Sequence, residues 1–300
     1  MEPFEPKRYW TNLVVGADPE DVDEVGHPDM GREFNLRAYR LRLQALIRAL
    51  RSAKCYPPTS VFEAAFGVGF YLRFWKGLDS KRVFGIDLSA SASEHARRSF
   101  PEFDLRAGDI VELNQCSDWP ALTSSFEVVT AIDVLYHITD AQAALQAVEN
   151  LAQLVAPNGI FLLTDKFPNT SEPFQESPQV VRRPVSWYTG LLKGRGLVIE
   201  QTIPVFWCMD PPLFYKSAVL PAAAAYMLWG FMRAGIKPWP RNSRLQNFLG
   251  SWLGRLGYLL DSAVVPHLTN TPNLTMAIYR RASFSSCNDT GLTPCTVKNE

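Results

Sequence analysis

Along the first two thirds of the chain, short apolar runs of strand length alternate with stretches whose apolar positions recur at helical spacing. Runs at 61–64, 82–87, 103–107, 126–133 and 159–165 predict five strands. Between them, Phe70, Leu72, Phe74 and Trp75 open one helix, and Ser91 with Glu94 forms a capping box for a second, reaching Phe100. A third helix spans about 140–155, with Leu145, Val148, Leu151, Ala152 and Val155 on one side and Pro157, Asn158 and Gly159 as its stop. Trp119 and Pro120 read as loop. Such alternation predicts a parallel sheet with right-handed crossovers, whose ligands gather at the carboxyl ends of the strands.

The flanks read differently. Residues 1–35 are an irregular lead-in, followed by a basic amphipathic helix with Leu36, Tyr39, Leu43, Leu46, Ile47 and Leu50 on one face, ending near Cys55. Beyond 165, a capped helix at 186–196 closes on glycine, and strands are expected at 197–206 and 273–279. The 207–271 segment between these two strands is too long for a structureless loop. Its uncharged run at 218–232 is shorter than a bilayer span and contains Pro221, so a buried or cap helix is expected, with a membrane-surface helix as the alternative. A second helix near 245–265 carries Leu245, Phe248, Leu249, Trp252, Leu256, Leu259 and Leu260 on a broad face. The pair is expected to form an apolar lid, which implies a hydrophobic or aromatic ligand. The organisation is thus a cap at 1–56, a main domain at 57–206 and 272–282, an insert at 207–271, and a polar tail at 283–300 that reads as disordered.

Composition narrows the classes. With 300 residues and 47% hydrophobic content the chain can bury a full core, and 30 basic against 30 acidic residues argue against a strongly basic nucleic-acid surface. Five scattered cysteines fit thiols in a reducing compartment. The N-terminus lacks an apolar core of the secretory kind, so a cytoplasmic protein is expected.

The chemistry lies at the strand ends. Gly67 and Gly69 follow the first strand and let backbone approach a ligand where a Cβ would collide. Glu63 repels a pyrophosphate and attracts a cationic group. Asp87 falls roughly twenty residues on, placed to accept from two ribose hydroxyls. Asp109 and Asp133 end the third and fourth strands.

This series resembles the class I S-adenosylmethionine (SAM) dependent methyltransferases, whose first motif is an acid followed by Gly-x-Gly-x-Gly; Ala65 stands here at the first glycine. The resemblance implies a seven-stranded Rossmann-like α/β sheet with helices on both faces, its last two strands antiparallel, with the helical insert replacing their hairpin. It implies SAM as cofactor, held by Glu63, Ala65, Gly67, Gly69, Asp87, Leu88, Asp109, Ile110 and Asp133, with Asp109 accepting from the adenine amino group and Ile110 beside the ring. The N-terminal helix would cover cofactor and acceptor, bringing Tyr9, Arg37 or Tyr39 to the ligand.

The expected activity is methyl transfer to a hydrophobic or aromatic small molecule, at oxygen, in secondary or lipid-related metabolism. His137 is the candidate base for a hydroxyl acceptor. His95 lies on a surface helix, and His27 and His267 reach the acceptor only if the lid folds over it. No metal is expected: Asp133 and Asp165 end adjacent strands as metal carboxylates do in catechol-type O-methyltransferases, but Lys166 follows them. No nucleic-acid partner is expected, and peripheral membrane contact through 207–271 stays open. Two rival readings remain. One is a nicotinamide oxidoreductase, favoured by Gly67, Gly69 and Asp87 but opposed by Leu72 in the place of the third fingerprint glycine and by Glu63. The other is a SAM-fold binder without catalysis, suggested by Ala65.

Overall fold

The computed structural model describes residues 5–13, 16, 18–27, 29–213, 219–241 and 243–282. Helix α1 (Pro6–Thr11) and a run of turns lead into the long helix α2 (Arg32–Ser52). Then come β1 (Ser60–Ala64), α3 (Phe70–Gly77), β2 (Arg82–Asp87), α4 (Ala90–Ser99), β3 (Asp104–Ala107), α5 (Trp119–Leu122), β4 (Phe126–Ala131), α6 (Ala141–Leu154) and β5 (Val155–Asp165). A small hairpin of β6 (Phe174–Ser177) and β7 (Val180–Arg182) precedes α7 (Val185–Lys193) and β8 (Leu197–Pro204). The insert supplies α8 (Val219–Ile236) and α9 (Arg244–Val264), and β9 (Thr275–Arg281) returns to the sheet.

Seven strands form one sheet in the order β3-β2-β1-β4-β5-β9-β8. The first five are parallel, and β9 runs antiparallel between β5 and β8. The strand order reverses between β1 and β4, which opens a crevice at their carboxyl ends. Central strands are buried on both faces, and the period of two sends neighbours to opposite cores. Val61, Val128 and Leu162 pack with α2 and the insert helices. Phe62, Val129 and Phe161 pack with α6 and α7.

Several local expectations need correction. The cap of α4 is Ser89, whose Oγ accepts from the Ala92 N–H at 3.1 Å, two positions before the expected Ser91, which lies inside the helix. The Trp119 and Pro120 stretch is the short helix α5, because Pro is well placed in a first turn. Helix α7 starts after Pro184 without a side-chain cap. The β6/β7 hairpin has no alternating signature strong enough to announce it. Phe214, Tyr215 and the polar tail at 283–300 lie outside the described residues.

The main correction concerns the insert. Its two helices are present, but α9 turns its apolar stripe outward: Phe248 is 66%, Trp252 60% and Leu259 59% exposed. The buried face instead carries Gln246, Gly250, Leu253, Gly254, Gly257 and Asp261. The glycines let α9 lie against α2, since a Cβ at Gly254 would sit 3.1 Å from Phe34 Cα and one at Gly250 would sit 3.1 Å from the Met30 carbonyl. Asp261 fixes the rotation of the helix. Its carboxylate accepts the backbone N–H groups of Trp207, Cys208 and Met209 at 3.1, 2.9 and 3.1 Å, and turning it to solvent would strand three buried donors.

Candidate functional site

A cavity of about 1560 Å³ lies over the carboxyl ends of β1, β2, β3 and β4, with the lead-in and α8 as its outer wall. A single-ligand pocket occupies about 300–1,000 Å³, so this one has room for two molecules side by side.

At the β1 end, the chain passes through Ala65 and Gly67, both with positive φ, at 57° and 53°. Ala65 tolerates this region because its side chain is one methyl, at a cost of about 1–2 kcal/mol. The Gly67 N–H donates to one oxygen of Asp87 at 2.8 Å, and the Ser89 N–H donates to the other at 2.8 Å. Burial raises the Asp87 carboxyl above its ordinary value, opposed by those two N–H bonds. Each oxygen keeps acceptor capacity, so the carboxylate is held rigid yet can still take a pair of hydroxyls. Leu88 adjoins it on the cavity wall.

Asp109 stands on the next strand tip, accepting from the Val111 N–H at 2.9 Å and paired with Lys7 Nζ at 2.7 Å. Ile110 is buried beside it. Lys7 belongs to α1, which therefore crosses the mouth above this end. Asp133 has positive φ at 57° and forms a buried ion pair with Arg42 of α2, while Thr164 Oγ1 donates to it at 2.9 Å. Arg42 also lies over the rings of Tyr39 and Phe206 at 5.0 and 4.7 Å.

Ala65, Gly67, Asp87, Leu88, Asp109, Ile110, Asp133 and His137 thus share one cavity, and Tyr9 and Tyr39 join them. Glu63, Gly69 and Arg37 do not. The Glu63 carboxylate is buried beneath the strand end, where Trp75 Nε1 and Thr130 Oγ1 donate to it at 2.7 and 2.8 Å. It cannot set the charge preference of a ligand it does not face. Gly69 starts α3 at φ 86° and gives clearance to Phe100, whose ring would be 3.0 Å from a Cβ there. Arg37 is tied to Glu33 and Ser251.

The far half of the cavity holds a cluster that strand-by-strand reading missed. His27 Nε2 lies 2.7 Å from Asp210 Oδ1, and Lys166 Nζ lies 3.0 Å from Asp210 Oδ2. Burial pushes the Asp210 carboxyl up, but Lys166, His27 and Arg42 outweigh it and hold the group well below the usual carboxylate range. Trp229 of α8 packs on the His27 ring at 5.0 Å, so the insert does fold over this histidine. His267 and His95 are not on the cavity wall. His137 Nδ1 is 3.0 Å from the Gln179 carbonyl, its ring against Trp10 and Tyr136. Burial lowers its pKa to about 4, against the Gln179 bond. Asp165 is fully buried and bound by Arg182 and Tyr188, each at 3.2 Å. Among the described residues no three His, Cys, Asp or Glu side chains converge as a metal set. Arg42 is 91 positions from Asp133, and His27 is 183 from Asp210; no local pattern could have joined either pair.

Residues 62–161 match a family model described as a methyltransferase domain. A protein of Mycolicibacterium smegmatis named "Probable S-adenosylmethionine-dependent methyltransferase" is 29% identical over 150 residues, covering 49% of this chain and 54% of that protein. The chain thus matches about half the length of this relative. Among solved structures, an O-methyltransferase family protein from Burkholderia thailandensis gives a TM-score of 0.49 at 12% identity, covering 85% of this chain and 60% of that one. The N-methyltransferase NodS from Bradyrhizobium japonicum, in complex with S-adenosyl-l-homocysteine, gives 0.46 at 13% identity, covering 81% and 87%.

Proposed function

We propose that this chain, whose residues 62–161 match a methyltransferase domain, binds SAM and passes the methyl group to an oxygen of a partly apolar small molecule. One observation carries the reading: Asp87 and Asp109 stand on neighbouring strand tips of one cavity, beside the Gly67 turn. A rigid carboxylate beside a glycine turn suits a ribose diol, and a second one next to a buried isoleucine suits an adenine amino group and ring. The donor set fits an adenosyl ligand, and Gly67 leaves room for it. SAM supplies an activated methyl on a sulfonium, so the protein's share is alignment, exclusion of water and proton handling.

Proton handling falls to His27. Asp210 at Nε2 orients the imidazole and leaves the other ring nitrogen for a substrate proton. His137, with its pKa near 4, is too weak a base at neutral pH and serves instead to hold the β6/β7 turn through Gln179. Lys166 beside the dyad supports an acceptor that develops negative charge, as a hydroxyl does, rather than an amine. Trp229, Tyr226 and Met30 on the same wall fit the apolar part of the acceptor, in keeping with secondary or lipid-related metabolism.

The test is thermal unfolding with S-adenosylhomocysteine and, separately, NAD. A ligand at a hundred times its dissociation constant adds about 2.7 kcal/mol, so S-adenosylhomocysteine is expected to raise the midpoint and NAD to leave it unmoved. A shift with NAD alone would return the oxidoreductase reading, and no shift with either would remove the cofactor assignment.

A further inference from the structure

The face of α9 expected to close over the acceptor is covered by nothing among the described residues. Leu245, Phe248, Trp252, Leu256 and Leu259 are all exposed and recur every three or four positions. At about 100° per residue they form one stripe roughly 80° wide, opposite the glycine face that packs on α2. From Leu245 to Leu259 the stripe runs about 21 Å along the helix. Met227 and Phe231 of α8, and Trp239 between the two helices, are exposed as well. A contiguous apolar stripe of this length, rich in Trp and Phe, exceeds the scattered exposure of an ordinary soluble surface.

Charge identifies the occupant. From residue 211 to 260 the sequence contains six basic residues and no acid, in a chain whose net charge is +0. Three of the six are engaged at the cavity rim, Arg233 and Lys237 with Asp29, and Arg241 with Asp23 and Glu24. Arg244 and Arg255 border the apolar stripe of α9 and form no ion pair among the described residues. Apolar side chains edged by cations that form no ion pair among the described residues match a surface that is apolar within and anionic at its boundary. A second copy of the chain would bring the same cations together.

We propose that α9 docks on an anionic lipid bilayer, with Phe248, Trp252 and Leu259 in the boundary between headgroups and acyl chains, and Arg244 and Arg255 on lipid phosphates. The helix lies in the plane of the surface; no helix among the described residues is long and apolar enough to cross a membrane. Its partner α8 forms part of the cavity wall through Tyr226 and Trp229, so docking sets that wall beside the bilayer. The inference rests on the insert alone and stands apart from the assignment of cofactor and reaction.

Flotation of the full chain with vesicles tests it, using phosphatidylcholine alone and phosphatidylcholine mixed with phosphatidylglycerol. The protein is expected to float with the mixed vesicles, less so as salt rises. The double variant Phe248→Ser, Trp252→Ser should lower the partition coefficient at least about tenfold. Arg244→Gln and Arg255→Gln should each lower it about fivefold. All four side chains are exposed, so the unfolding midpoint and its response to S-adenosylhomocysteine should match the parent protein. Absence of flotation, or flotation undiminished in the double variant, overturns the proposal. So does a dimer in sedimentation that this double variant dissolves, which would give the stripe to a second copy.

Discussion

Glu63 shows how a residue can hold a motif position while facing away from the ligand. It is the first acid of the strand-end series, yet its carboxylate accepts from Trp75 and Thr130 inside the domain. Burial raises its pKa from 4.5 to about 7, against the pull of those two donors. The fold therefore binds the Glu63 proton more tightly than the unfolded chain does. This stabilisation is full below about pH 4.5 and is lost as pH rises through 7. Glu63→Gln keeps the acceptor oxygen and removes the titration. By urea denaturation the variant is expected to gain about 3 kcal/mol over the parent near pH 8 and almost nothing near pH 4; an equal gap at both would show that Glu63 does not titrate in this range. That an acid belongs at position 63 was legible from the strand pattern. Its direction was not, because Trp75 and Thr130 come from a helix and a strand that meet it only in the fold.

At the scale of elements, hydrophobic periodicity located both insert helices and misjudged the face that α9 buries. Apolar residues at helical spacing mark a stripe, but burial went to the glycine side, because close approach of α2 and α9 and three N–H bonds to Asp261 decide the rotation. Gly254→Val tests this ordering. Its Cβ would meet the Phe34 backbone at 3.1 Å, and overpacking of this kind costs about 1–3 kcal/mol, read as a lower urea midpoint with an unchanged slope. A midpoint equal to the parent's would mean that the two helices can part without loss. The hairpin of β6 and β7 shows the converse case. Its strands of four and three residues are too short to establish a period, yet they bring Arg182 to Asp165 and the Gln179 carbonyl to His137.

At the scale of the whole molecule, the half of the cavity proposed to take the acceptor is assembled from distant segments: His27 from the lead-in, Lys166 after β5, and Asp210 with Trp229 from the insert. His27→Gln is expected to lower turnover about 10²–10⁴-fold while S-adenosylhomocysteine affinity, which depends on the other half, stays at the parent value. Equal turnover would take the proton from some other group, and a matching loss of affinity would make His27 a structural residue.

The sequence by itself determined the order of the seven sheet strands and of the longer helices between them, the acids at the strand tips and the Gly67 turn, because period, chain punctuation and short-range spacing are local properties. Only the tertiary structure decided that Glu63 faces inward, that Lys7, Arg42 and the His27–Asp210 pair enter the cavity, and that α9 turns its apolar stripe out. Each of these depends on which distant group satisfies a buried charge or donor, or on how closely two backbones can approach.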